Sequence, residues 1–248
     1  MQEILRTEGI VLDKVESGDY DNFYRVLTKE YGSISLFAKS ARKASAKMAG
    51  SMEPGSISSI YFIPSRSDYM MLTGTVFIWK PSFLAQSELI NELIGQALSY
   101  TKKLFGGDFS MDDSQDSFLP YNFLREYLRG ISTRDRDETH VILYQAGYYL
   151  KILDYAGFKP SLKRCIECNK QITASRDVCY SAREGGALCS TQCASGHGDA
   201  IRIGFDSLKL ANYLSEYPIS TIDKLKIEKR VAADALKMSQ NHLQYCLS

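Results

Sequence analysis

Four cysteines in the last third of the chain have the residue type and the spacing for metal chemistry. Cys165-Ile166-Glu167-Cys168 is separated by twenty residues from Cys189-Ser190-Thr191-Gln192-Cys193. Two close pairs, each on a tight turn, aim their thiolates at one point, and the polar stretch between them folds back to complete a tetrahedron. This is the spacing of a structural zinc site, although the second pair encloses three residues where two is commoner. Ahead of Cys189, Gly185-Gly186 permit the positive φ that such a turn needs. With sulfur at all four positions no coordination position stays open, so one Zn2+ per chain would brace the fold and perform no catalysis. The alternative is a set of ordinary buried thiols or a disulfide, but lone core cysteines do not cluster in twos. Cys179 and His197 are the substitute ligands to consider. Cys179, between Val178 and Tyr180, reads as part of a short strand, and His197 lies in the loop Ser195-Gly196-His197-Gly198. Cys246 reads as a free thiol.

Electrostatic chemistry is offered by Lys39-Ser40-Ala41-Arg42-Lys43-Ala44-Ser45-Ala46-Lys47, a run without an acid. The small residues between Lys39, Arg42, Lys43 and Lys47 let a nucleic-acid backbone approach closely, and each phosphate neutralised releases counterions. Arg25 adds a cation, and Tyr20, Phe23 and Tyr24 are candidate stacking platforms for unpaired bases. A solvated surface loop has the same composition, so the run alone does not decide between the two readings.

These residues need elements to position them. Short segments rich in β-branched and aromatic residues occur at 10–12, 24–28, 33–37, 56–62 and 69–79, separated by turn signals. Tyr31-Gly32 predicts a tight hairpin with Gly32 at positive φ. Five short strands within about 80 residues close more easily into a small barrel than they form an open sheet, because closure removes exposed edges. The expected class is α+β: an N-terminal OB-fold β-barrel over 1–81, with an SH3-like barrel as competitor, then an α-helical domain over 82–248. Helical spacing appears at 84–105, 118–131 and 139–156, the last ended by Gly157 and Pro160. Further helices are expected over 206–217 and 221–245, so the zinc-binding module at 163–198 reads as an insertion within the helical domain.

The chain has 248 residues, 44% hydrophobic, and a net charge of +1, so any nucleic-acid contact must come from a local patch. No basic-then-apolar leader opens the sequence, and the most apolar stretch, 69–79, is too short for a bilayer, so a cytoplasmic protein without membrane contact is expected. Six cysteines in such a setting point to metal or reduced thiols. Enzymatic signatures are scarce. Gly50-Ser51-Met52-Glu53-Pro54-Gly55 has the glycine spacing of a phosphate loop but continues with Ser56-Ile57 instead of the phosphate-binding Lys. Asp137-Glu138-Thr139-His140 is more simply a helix start, with acids favouring the N-terminal dipole.

Taken in order, the residues resemble the bacterial DNA repair protein RecO family. The resemblance runs through 7–12, 25–32, Ala38-Lys39-Ser40-Ala41-Arg42-Lys43, 150–153 and Gly157-Phe158-Lys159-Pro160-Ser161-Leu162, and closes on the first cysteine pair and Gly185-Gly186-x-x-Cys189. It departs from the family pattern at the second cysteine pair and at Ser40, where a Gly is usual. The resemblance implies a non-enzymatic, DNA-binding recombination mediator in DNA repair. Such a protein binds single- and double-stranded DNA, anneals complementary strands and, with RecR, helps load RecA onto DNA coated by single-strand binding protein. It also implies a groove in the helical domain for the acidic, aromatic-tipped tail of that coat protein. Arg125 and Arg129, one turn apart, are the expected cationic rim, an exposed stripe on an ordinary helix being the alternative. The competing function is a zinc-containing OB-fold scaffold that mediates protein contacts without touching DNA.

Overall fold

Alternation of inward apolar and outward polar residues builds the first half of the chain. The computed structural model describes residues 3–41, 50–65, 69–82, 87–107, 118–133, 136–174 and 178–248. Its chain divides into two compact units, Met1–Arg134 and Asp135–Ser248. In the first unit, β1 (Leu5–Ser17), β2 (Asp21–Thr28), β3 (Ser33–Ala38), β4 (Ile57–Ile63) and β5 (Met70–Trp79) form a closed barrel in the order β1-β2-β3-β5-β4. That order, with β1 pairing both β2 and β4, is the OB arrangement rather than an SH3-like one. Among the described residues the barrel pairings are antiparallel except β3 with β5, which is parallel and two pairs long, Leu36↔Met70 and Phe37↔Met71.

β1 is much longer than the 10–12 core that composition picks out, because it serves two neighbours and bends at a bulge between Val11 and Asp13. Gly9 leaves no room for a side chain: a Cβ there would lie 2.6 Å from Val26 Cγ1 and 2.8 Å from Ile60 Cδ1. The barrel interior is filled by Val11, Tyr24, Val26, Ile34, Leu36 and Phe62, among others. The hairpin after β2 turns as expected, with Gly32 at φ 60°.

Helices α1 (Glu88–Phe105) and α2 (Phe118–Ile131) lie against β1 in this same unit. Strand therefore gives way to helix near residue 81, whereas the compact units part at Arg134/Asp135. The reason is that α1 and α2 bury their apolar stripes on the barrel side. Tyr121 of α2 donates its hydroxyl to Glu8 of β1, and Arg125 reaches the same carboxylate at 3.7 Å.

In the second unit α3 (Glu138–Tyr155) is capped by Asp137, whose carboxylate accepts from His140 N at 3.0 Å. It packs on α5 (Phe205–Glu216) and α6 (Lys229–Leu247), the helices that follow the cysteine-bearing segment. That segment holds β6 (Cys179–Ser181), β7 (Gly186–Leu188), the single turn α4 (Thr191–Ala194) and β8 (Ile201–Arg202), with sheet order β7-β6-β8. The last helix starts at Lys229 rather than near 221. Residues Ile219–Lys224 form a 3-10 turn instead, because Ile222 is buried against Gly147 and Asp223 is held by Arg136 and Tyr144. A helix continuing through 225–228 would break those contacts.

Candidate functional site

The four paired cysteines converge. Their sulfurs all lie within 4.8 Å of one another, with Cys168 to Cys189 at 3.6 Å and Cys189 to Cys193 at 3.7 Å. Four thiolates at about 2.3 Å from a tetrahedral zinc stand about 3.8 Å apart, so the donor set fits such an ion. The first pair is a knuckle: Asn169 N donates to Cys165 O and Cys165 N to Lys170 O, both at 2.9 Å, with Asn169 at φ 58° closing the turn. The wider second pair has a local cause. Ser190 caps α4 by accepting from Cys193 N at 3.2 Å, so Cys193 enters from the first helical turn and meets Cys189 one residue later than in a simple knuckle.

The knuckle is sewn to β7. Ile166 N donates to Ala187 O at 3.0 Å and Ala187 N to Ser161 O at 2.9 Å. A Cβ on Gly186 would fall 2.2 Å from Ile166 Cγ2, so no side chain fits there. Burial opposes ionisation of Cys165, yet the backbone N–H groups of Cys168, Cys189 and Glu167 outweigh it and hold this thiol down at about 6. Burial, and then the neighbouring thiols, push Cys189 up to about 12. Four sulfurs this close do not all ionise unaided; a bound dication reverses that opposition. Neither alternative ligand joins the cluster. Cys179 is buried in β6, and His197 Nε2 lies 3.2 Å from Glu167 Oε2. Cys246 sits apart on α6, its sulfur 4.0 Å from His242 Nε2.

The outer face of the barrel carries the second candidate site. Cross-strand register aligns Val15, Phe23 and Phe37 in one row and Asp13, Arg25 and Ser35 in the next. Phe23 and Phe37 have ring centroids 4.9 Å apart, and Tyr69 stands 5.4 Å from the first and 5.5 Å from the second. Beside them a cavity of about 300 Å³ is lined by Asp13, Val15, Arg25 and Lys102, the last pairing with Asp13 at 2.6 Å. Arg25 thus faces outward, and Lys39 is exposed just beyond β3. Arg42, Lys43 and Lys47 lie outside the described residues. Tyr24 corrects an expectation: strand alternation turns it into the barrel core, where its hydroxyl accepts from Asn22 Nδ2 at 2.9 Å, so no base stacks on it. Sequence reasoning missed Phe37 and Tyr69. Period-two alternation along β3 marks Phe37 as outward, but nothing local announces that Tyr69 joins it across the barrel seam.

Arg125 is paired with Glu8, and the Arg129 guanidinium sits 5.7 Å over the Trp79 ring. In the second unit, α5 and residues 225–231 enclose a groove of about 500 Å³ walled by Leu210, Tyr213, Ile227 and Val231. Lys209 and Lys226 are exposed on its rim, and among the described residues neither has an ion-pair partner.

A closed barrel in the OB arrangement with an aromatic outer row, followed by a helical unit that carries a four-cysteine cluster, defines the architecture of the chain. Residues 1–70 match the family profile described as Recombination protein O N terminal, and 108–248 match Recombination protein O C terminal. The chain belongs to the RecO family, a family of DNA repair proteins. It is 30% identical over 225 residues to DNA repair protein RecO of Alkaliphilus metalliredigens, covering 90% of this chain and 86% of that one. Its identity to the protein of the same name from Oceanobacillus iheyensis is 27%, over 90% of this chain and 81% of the relative. For that of Thermodesulfovibrio yellowstonii it is 24%, over 96% and 91%. Among the described residues no helix is long and apolar enough to cross a membrane.

Proposed function

We propose that this chain is a non-enzymatic recombination mediator that binds single- and double-stranded DNA, pairs complementary strands and, with RecR, helps load RecA onto DNA coated by single-strand binding protein. The observation that carries the reading is the trio Phe23, Phe37 and Tyr69 on the outer barrel face, flanked by Arg25 and Lys39. Aromatic rings accept unpaired bases without sequence preference, and cations beside them neutralise phosphate. Strand pairing of this kind needs repulsion removed while base edges stay free, and no hydrolytic step. Arg42, Lys43 and Lys47, which follow Lys39 in the sequence, would add further cations for phosphate. A strand-annealing assay with and without single-strand binding protein tests the reading. A protein that neither shifts a single-stranded oligonucleotide at low salt nor speeds annealing would point instead to the scaffold alternative.

The cysteine cluster holds one structural Zn2+ in this reading, through Cys165, Cys168, Cys189 and Cys193. Bound there, the ion supplies a crosslink and a counter-charge for the thiolates.

For the acidic, aromatic-tipped tail of the coat protein, the groove between α5 and residues 225–231 meets the chemical requirement. It combines apolar walls with Lys209, Lys226 and Arg230, beside Asp206 and Glu228, whereas Arg125 and Arg129 are engaged by Glu8 and Trp79. A tail peptide that loses affinity in K209A/K226A but not in R125A/R129A supports the groove; the converse returns the site to α2.

A further inference from the structure

Lys39-Ser40 is a two-residue step between two buried alanines, Ala38 and Ala41, both part of the barrel core. Ser40 crosses that step at φ 56°, a left-handed backbone that L residues other than Asn and Asp rarely adopt. What holds it is not local. Asp21, at the start of β2, accepts a hydrogen bond from Ser40 N at 2.6 Å, across nineteen residues of sequence. Asp21 is fixed in turn by its place opposite Ser17 in the β1–β2 ladder, and Asn22 beside it pairs with Ala38. A carboxylate is thus placed at the base of a cationic segment, where Coulomb's law alone would make it a liability for binding phosphate.

We propose that Asp21 is a positioning residue for the DNA-binding face: its bond to Ser40 N fixes the left-handed step and thereby the aim of Lys39. The proposal rests on the DNA-binding reading above and adds a residue to it whose charge has the wrong sign for direct contact. Preorganisation is the physical gain. A cation presented on a fixed step loses less freedom when it meets phosphate than one on a step that samples several backbone states. A Gly at this position would adopt the positive φ without steric cost. With Ser in that place, the side chain of Asp21 does the holding.

The charge and the acceptor are separable. Asp21→Asn keeps an oxygen acceptor and sheds the negative charge, whereas Asp21→Ala sheds both. Binding of a labelled single-stranded oligo(dT) is measured by fluorescence anisotropy at several salt concentrations, with Lys39→Ala alongside. D21N is expected to tighten binding about twofold by removing one repulsive charge. D21A is expected to weaken it about three- to fivefold in spite of the same charge change. Backbone amide exchange supplies an independent reading: Ser40 N–H loses protection in D21A and keeps it in D21N. D21A binding as tightly as D21N, or an unchanged Ser40 exchange rate in D21A, overturns the proposal. If the wild-type protein does not bind the oligonucleotide, or K39A binds as the wild type does, the DNA-binding face itself is wrong and this role of Asp21 falls with it. If K39A weakens binding while D21A and D21N behave alike, only the positioning role is lost.

Discussion

The sulfurs of Cys168 and Cys189 stand 3.6 Å apart, far beyond a disulfide bond and close to the edge of a zinc–thiolate tetrahedron. The freshly purified, reduced protein is therefore expected to carry about one equivalent of zinc per chain, the capacity of a single four-sulfur site. Replacing Cys165 and Cys168 by Ser should remove the metal and lower the thermal midpoint together. Elemental analysis of the wild-type protein decides the point, and absence of metal in it would defeat the assignment.

Gly186→Ala tests the mounting of that cluster rather than its ligands. The added methyl would meet Ile166 Cγ2 at 2.2 Å, so the first knuckle must shift away from β7. Overpacking of this kind costs about 1–3 kcal/mol. We expect a lower denaturant midpoint and faster metal transfer to a colorimetric chelator, with all four cysteines intact. A variant as stable as the wild type would mean that the knuckle is not seated on β7 as described.

The two components of the barrel face should separate by their response to salt. Joint replacement of Lys39, Arg42 and Lys43 by Ala should weaken binding and flatten the slope of log affinity against log salt by roughly 2, given about 0.7 per phosphate contact on single strands. Phe37→Ala should instead cost about 1–3 kcal/mol of affinity with little change in slope, as expected for a lost stacking platform. Anisotropy titrations at four or five salt concentrations would tell these apart. Identical slopes in all variants would remove the cationic segment from the interface.

Acid should weaken the second unit in a defined way. Asp223 is held below the usual carboxylate range chiefly by the hydrogen bond from Arg136. Asp199 is held down by Arg183 N and the Ser181 hydroxyl, which outweigh burial. Because their folded values lie below the unfolded value of about 3.9, their stabilisation is complete above it and is lost as pH falls through the folded values. Asp223→Asn should therefore be less stable than the wild type at pH 7, with the gap closing on acidification toward pH 3. Urea midpoints measured across that range check the sign; a constant gap would detach Asp223 from the effect.

The cysteine cluster was legible because its geometry is local. Two short turns and a pair of glycines encode it, and only the cap from Ser190, which explains the three-residue spacing, needed coordinates. The barrel was legible as five strands, since alternation and turn residues mark each one. What sequence reading lacked was pairing. Alternation alone turns Tyr24 inward and Phe37 outward, but Tyr69 meets Phe23 only because β5 closes onto β3. The 3-10 turn at Ile219–Lys224 was hidden for the same reason: Arg136, Tyr144 and Asp223 are distant in sequence, and their network outcompetes helical propensity.

Among the described residues the barrel is joined between β3 and β5 by two residue pairs, in the weaker parallel sense. Leu36, Phe37, Met70 and Met71 make up that short seam. Phe23 and Tyr69 flank it, so a strand of bases laid over these rings would act as a splint across the joint. Occupancy would then stiffen the whole barrel from its outside, and the amides of Phe37 and Met71 should slow their exchange before any others respond.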